Sequence, residues 1–260
     1  MSDFVTIRKD TRGVARITID HQAKLNCLTS AGMRDFAKAL AGLESDPDLR
    51  VAVLTGAGSK AFVGGASIDE MAALEGSDSA REFITLVHGT CDAVRRLPFP
   101  VIARIDGYTL GAGLELAAAC DFRICSEKSV FAMPEVKLGI PSVVEAVLIP
   151  GLIGWGRTRM LLLTGRPIDA RTALDWGFVE EVAANEALDQ VVEGYVEDIV
   201  GCGNAAVRMQ KELIRSWETT SIPDSIPQSI AAFARACEGP ERRQLMDKYQ
   251  AERLERKSRK

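Results

Sequence analysis

Apolar and polar positions alternate with a period of two over Phe4 to Lys9 and again over Val14 to Ile19, and the break at Thr11-Arg-Gly13 predicts a strand, turn, strand hairpin. The period becomes helical over Ser30 to Ser45, where Met33, Phe36, Ala37, Leu40 and Leu43 recur on one face. Val51 to Thr55 is a continuous apolar run of the kind a buried strand carries. It leads through Gly56-Ala-Gly58 into Ala61-Phe-Val-Gly-Gly-Ala-Ser-Ile-Asp-Glu-Met71, which reads as strand, glycine loop and helix start. Ser79 to Arg96 predicts a helix ended by Pro98 and Pro100. Val101-Ile-Ala103, the glycine-punctuated loop Asp106 to Gly113 and the helix-prone Leu114 to Cys120 then repeat the strand, turn, helix theme. Asp121 to Cys125 is a further short apolar run. Helices are predicted over Val143 to Leu152, Trp155 to Thr164 and Asp169 to Trp176, the last with Gly177 as its C-cap before a strand at Phe178 to Val182. Beyond Asn185 strands stop and helices predominate, so the expected boundary divides residues 1–197 from a helical region 198–260.

Two glutamates interrupt the apolar segments, Glu115 in Leu110-Gly-Ala-Gly-Leu-Glu-Leu116 and Glu135 in Phe131-Ala-Met-Pro-Glu-Val136, 20 positions apart (135 − 115). An ionised carboxylate removed from water is costly unless it is paired or shifts its pKa, so two of them ask for a reason. Glycines at 111 and 113 open backbone geometry closed to other residues. The first-turn amides of the helix that follows are free to hold an anion or a developing oxyanion. Ala66, after the earlier glycine loop, offers a second such N–H. Taken alone, the glycine turn reads equally well as a simple cap. Pro134 biases Met133 toward extended backbone and sets Glu135 at a rigid corner.

Phe62-Val-Gly-Gly-Ala-Ser-Ile-Asp-Glu-Met71, Pro100-Val-Ile-Ala103, Asp106-Gly-Tyr-Thr-Leu-Gly-Ala-Gly-Leu-Glu-Leu116, Cys120-Asp121 and Met133-Pro-Glu135, in this order and spacing, resemble the crotonase (enoyl-CoA hydratase/isomerase) superfamily. The likeness runs from the first strand to about Val182, with a looser fit in the helical C-terminus. It implies an α/β fold of repeated β-β-α units wound into a spiral, a C-terminal helical region that trimerises, and acyl-CoA thioester substrates, with coenzyme A entering as part of the substrate rather than as a separate cofactor. Carried over by position, the oxyanion amides are those of Ala66 and Ala112, and the paired acids are Glu115 and Glu135, with Glu135 donating a proton to C2 and Glu115 holding the water. Lys24, Ala66, Ser67, Ile68 and Asp69 match the segments that line the CoA site, although an exposed lysine is an equal reading of Lys24.

The departures from this pattern are also informative. Gly-Ala-Gly stands where three glycines are usual, so the Ala112 methyl narrows the approach. Ser67 replaces an aspartate, and Asp69 replaces a lysine that contacts a CoA phosphate. Gly139-Ile-Pro-Ser-Val-Val-Glu-Ala146 replaces a glycine-rich stretch and brings in a third carboxylate, Glu145. Ser142-x-x-Glu145 reads as a capping box for the helix starting at Val143, and that reading is favoured over a substrate-facing role.

Composition narrows the remaining classes. A net charge of −4 and a sequence pI near 5.4 disfavour a nucleic-acid surface, including an RNA-contacting tail built on the charge-dense Tyr249 to Lys260, which reads as a solvated helix. Cysteines 27, 91, 120, 125, 202 and 237 lack C-x-x-C spacing and read as reduced core thiols. His21 and His88 show neither metal-ligand spacing nor a nucleophile partner, so no metal is expected. No uncharged run reaches about 18 residues and the N-terminus does not read as a signal peptide, so the expected setting is a bacterial-type cytoplasm without a membrane partner. The reading favoured is a 2-enoyl-CoA hydratase that forms a homotrimer or hexamer. An isomerase using Glu135 alone, or a thioester hydrolase using Glu135 or Glu145, is the alternative within CoA chemistry. A non-catalytic scaffold is disfavoured by the two buried acids.

Overall fold

A computed structural model describes residues 4–258. Ten strands are found among them: β1 Val5–Lys9, β2 Val14–Ile19, β3 Val51–Gly56, β4 Ala61–Val63, β5 Val101–Ile105, β6 Tyr108–Leu110, β7 Phe122–Ser126, β8 Val130–Ala132, β9 Ile168–Asp169 and β10 Glu181–Ala183. The α-helices are α1 Ser30–Glu44, α2 Ile68–Ala72, α3 Gly76–Arg96, α4 Ala112–Ala118, α5 Ile149–Thr164, α6 Ala170–Trp176, α7 Leu188–Gly201, α8 Asn204–Trp217, α9 Ile222–Glu238 and α10 Pro240–Ser258. Short 3-10 turns at Glu135–Leu138 and Val144–Leu148 lie between β8 and α5.

The strands form two sheets. One runs β1-β2-β3-β5-β7-β10 and the other β4-β6-β8-β9. Consecutive strands β3/β4, β5/β6 and β7/β8 each place one member in either sheet, and within each sheet these strands pair in parallel. This is the expected spiral of β-β-α turns. Burial explains the sequence pattern: β3 and β5 are covered on both faces and read as apolar runs broken only by the half-buried Thr55 and Arg104, whereas the hairpin strand β1 alternates because one side meets solvent. The core between the layers is built from Phe36, Leu54, Phe62, Phe99, Phe131 and Phe178 with their aliphatic neighbours. Arg123 is buried beside it and held by the Phe178 carbonyl at 2.7 Å, the Cys120 carbonyl at 2.7 Å and the Glu180 carboxylate.

Several expectations need correction. The loop expected over Asp106 to Gly113 contains β6, which is needed to seat the second glycine turn in the sheet. Phe178 and Val179 are buried in a turn, and the strand starts only at Glu181. The helix expected from Val143 is a 3-10 turn followed by α5. A single stretch among the described residues, Val144–Thr164, has the length and composition to cross a membrane (mean hydropathy 1.2). It is interrupted at Gly154, where φ is 75°, and its first turn buries Glu145. The chain divides into a unit ending at Val196 and a unit beginning at Glu197. In the second unit α8 and α9 pack on one another, with Trp217 Nε1 donating to Ser229 Oγ at 3.3 Å. Arg259 and Lys260, the end of the expected terminal helix, lie outside the described residues.

Candidate active site

Strands β4 and β6 are parallel neighbours, so the glycine turns that follow them leave the same sheet edge side by side. After β4, Gly65 takes φ 108° and delivers Ala66. After β6, Gly111 takes φ 52° and delivers Ala112 as the first residue of α4. Both angles lie where side chains are disfavoured. The Leu28 N–H donates to the Gly65 carbonyl at 2.9 Å and the Ser67 N–H to the Leu28 carbonyl at 2.8 Å, which bracket Ala66 and turn its own N–H away from Leu28. Ala112, at the start of its helix, has no intrahelical acceptor. Among the described residues neither the Ala66 nor the Ala112 amide has a partner, and both residues line one cavity of about 580 Å³. A Cβ at Gly113 would strike the Val63 carbonyl, so glycine there lets α4 close onto β4.

Glu115 and Glu135 line the same cavity. Glu115 projects from the first turn of α4, is 4% exposed, and its Oε1 accepts the Ala146 N–H at 3.2 Å. Glu135 opens the 3-10 turn after Pro134, where Oε2 accepts the Ser142 hydroxyl at 2.9 Å. Its Oε1 lies against the Cα of Gly111, where any Cβ would collide with it. The glycine before Ala112 therefore has two tasks, the turn itself and room for the second carboxyl. Burial pushes Glu115 up to about 8, with the nearby Glu135 and Glu145 adding to it and the Ala146 N–H opposing. Burial also raises Glu135, against its own backbone N–H and the Ser142 hydroxyl. Glu115 therefore keeps its proton at neutral pH, and the two acids titrate as a coupled pair.

Glu145 does not cap a helix. The 3-10 turn that contains it has no side-chain cap, and the Ser142 hydroxyl is committed to Glu135. Val144 is held at φ 39°, a strained conformation for a β-branched residue, and this turns Glu145 inward. There Oε1 meets His88 Nδ1 on α3 at 2.7 Å, while Oε2 is buried with no hydrogen-bond partner among the described residues. Glu145 is absent from the cavity wall and reaches the site through Glu115. The Cys91 thiol, one turn along α3, is pushed well up by burial and then by Glu145 and Glu115.

Of the residues matched to the CoA site, Ala66 and Ile68 line the cavity. Ser67 is the N-cap of α2, its hydroxyl accepting the Glu70 N–H at 3.3 Å. Lys24 and Asp69 form an exposed ion pair at 3.1 Å, so the aspartate in place of the expected lysine neutralises the other basic residue of the group. An exposed pair of this kind contributes little and opens readily. Sequence reasoning passed over Ser142 as a partner of Glu135, His88 as a partner of Glu145, and Arg81 on the cavity wall. Of these only Ser142 carried a local signal, a hydroxyl just beyond Pro141 and seven residues from an acid.

Comparison with known proteins gives the family. The sequence profile of the Enoyl-CoA hydratase/isomerase family matches residues 9–257. A short-chain-enoyl-CoA hydratase of Clostridium acetobutylicum is 31% identical over 237 residues, covering 91% of this chain and 90% of that protein. A crotonyl-CoA hydratase of Syntrophomonas wolfei subsp. wolfei is 33% identical over 221 residues, 85% of each. The crystal structure of an enoyl-CoA hydratase from Bacillus anthracis superposes with a TM-score of 0.92 at 30% identity, covering 96% of this chain and 97% of that one. The chain belongs to the enoyl-CoA hydratase/isomerase family, and its fold is that of the crotonases.

Proposed function

We propose that this protein adds water across the C2=C3 bond of a 2-enoyl-CoA thioester, or removes it from the 3-hydroxyacyl product. The observation that carries this reading is that two carboxyl groups share one cavity with two unpartnered backbone amides. With the thioester oxygen on the Ala66 and Ala112 amides, the charge that water addition pushes onto that oxygen meets fixed donors, each able to lower the barrier by on the order of 3 kcal/mol. Glu115, neutral, holds the water. Glu135, ionised, takes one proton from that water as its oxygen bonds to C3, and passes the proton to C2 as the enolate collapses. Oxygen and proton then both come from one water, and the pair ends in its starting protonation state. This reading has Glu135 deliver the proton to C2, as the family resemblance implies, but differs from that expectation in having Glu135 rather than Glu115 deprotonate the water and in placing the resting proton on Glu115. No cofactor beyond the substrate's own coenzyme A is invoked. The six cysteines are free thiols, which suits a reducing cytoplasm.

The test is turnover of a panel of 2-enoyl-, 3-hydroxyacyl- and saturated acyl-CoA esters by purified protein. Hydration of an enoyl ester is expected, with Glu115→Gln and Glu135→Gln each lowering kcat by about 10² or more. Wild-type rates in both variants would end the two-carboxyl mechanism. An active Glu115→Gln beside an inactive Glu135→Gln would point instead to double-bond isomerisation or another single-acid reaction.

A further inference from the structure

Among the described residues Arg81 is the single basic one lining the cavity, and Ser77, one helical turn earlier on α3, lines it as well. The wall is otherwise apolar apart from Glu115 and Glu135. Among the described residues neither the Arg81 guanidinium nor the Ser77 hydroxyl has a partner. The nearest acids in sequence leave Arg81 free: Glu82 is held by Arg34 at 2.9 Å, and among the described residues Asp78 forms no ion pair with it. An arginine left unpaired beside its own acids, with its i−4 neighbour a free hydroxyl, is a donor set without an acceptor.

The course of α3 says where along the cavity this set lies. Near its C-terminal half the helix is level with the carboxyls, since His88 meets Glu145 and Cys91 senses Glu115. From Val87, through Ile84, to Arg81 the cavity wall follows α3 away from them, about 9 Å at 1.5 Å per residue. A chain that starts at the reacting carbons and lies along this apolar wall ends at Arg81. We propose that the cavity accepts enoyl thioesters whose acyl chain ends in a carboxylate, bound by the Arg81 guanidinium with help from the Ser77 hydroxyl. The planar fork of arginine matches a carboxylate through two parallel hydrogen bonds. The distance along α3 keeps that charge away from Glu115 and Glu135, where a second anion would be repelled. This inference rests on the hydratase reading for its catalytic half and stands apart from it in binding.

The experiment compares kcat/KM for trans-2-enoyl-CoA esters of equal length ending in methyl or in carboxylate, with wild type, Arg81→Gln, Arg81→Lys and Ser77→Ala. Arg81 is exposed, so the variants are expected to fold, and melting temperatures check this. Wild type is expected to favour the carboxylate-ended ester by about tenfold or more, mainly through KM, with the preference lost in Arg81→Gln and partly kept in Arg81→Lys. A wild type indifferent to the chain end would overturn the proposal. Repeating the series with pantetheine thioesters separates the other source of anions, the phosphates of CoA. If Arg81→Gln weakens both CoA esters equally and neither pantetheine ester, Arg81 reads the nucleotide and the proposal fails. If no enoyl ester turns over at all, the hydratase reading fails first. Calorimetric binding of saturated esters then decides the point alone: a preference for the carboxylate end that Arg81→Gln removes supports the assignment, and equal affinities reject it.

Discussion

A carboxyl group that is 4% exposed, with a pKa pushed from 4.5 up to about 8 by burial, by Glu135 and by Glu145, is neutral where most glutamates are charged. In the proposed mechanism this neutrality would let Glu115 hold water beside an ionised Glu135, and it has a cost in stability. The unfolded chain ionises this group near its ordinary 4.5, while the folded chain keeps the proton to about 8. Between these values the native state therefore binds more protons, and stability falls as pH rises, by on the order of a few kcal/mol across the window. Glu115→Gln is neutral at every pH and escapes this loss. The variant is expected to gain in melting temperature over wild type as pH is raised from about 5 to about 9, with the gain levelling off above about pH 8. A difference between the two proteins that did not change with pH would show that Glu115 ionises normally. In wild type the same titration predicts that kcat/KM declines above about pH 8, when the pair loses its shared proton.

At the scale of elements, two segments of irregular backbone carry the site, and they are also where the sequence was hardest to read. Gly65 and Gly111 were legible because a turn with positive φ between a strand and a helix selects glycine, and Glu115 and Glu135 because a charge in an apolar run demands an explanation. The helices α1, α3 and α6 showed in their 3.6-residue period and their stops. What did not show was pairing across the fold. Ser142 and Glu145 have capping-box spacing, yet each finds its partner elsewhere, Ser142 on Glu135 and Glu145 on His88 from α3. Beyond the hydroxyl of Ser142 seven residues from Glu135, the linear sequence does not mark that exchange, and the inward turn of Glu145 goes with Val144 at φ 39°. The reassignment has measurable consequences. A cap would influence stability alone, whereas a buried anion beside Glu115 raises its pKa. Glu145→Gln is expected to lower the pH at which kcat/KM declines. His88→Leu, which strands the buried carboxylate, is expected to lower stability by about 1–3 kcal/mol in thermal melts. An unmoved pH profile in the first variant together with an unchanged melting temperature in the second would return Glu145 to a passive role.

For the molecule as a whole, the apolar surface that a single chain leaves uncovered lies elsewhere than the sequence pattern placed it. Val192 and Val196, in the stripe Val191, Val192, Tyr195, Val196 and Ile199 on α7 that was expected to drive assembly, are buried within the chain. On α9, by contrast, Ile222, Ile226, Ile230 and Phe233 follow one another at helical spacing and are 77%, 54%, 67% and 73% exposed. A continuous row of large apolar side chains in water is the mark of an interaction surface, because removing it from solvent gains roughly 25 cal/mol per Å². The family resemblance implies the partner, two further copies of this chain related by a closed rotation, so the α9 row is expected to be covered by self-association. Light scattering on purified protein at micromolar concentration is expected to give three, or six, times the 28.1 kDa of one chain. The double substitution Ile230→Glu with Phe233→Glu places two charges in that row and should shift the mass toward one chain, with the far-ultraviolet circular dichroism of the helices kept. A wild-type protein that scatters as a single chain would mean that the α9 row is free for another partner, and a double variant that still assembles would move the interface to a different face.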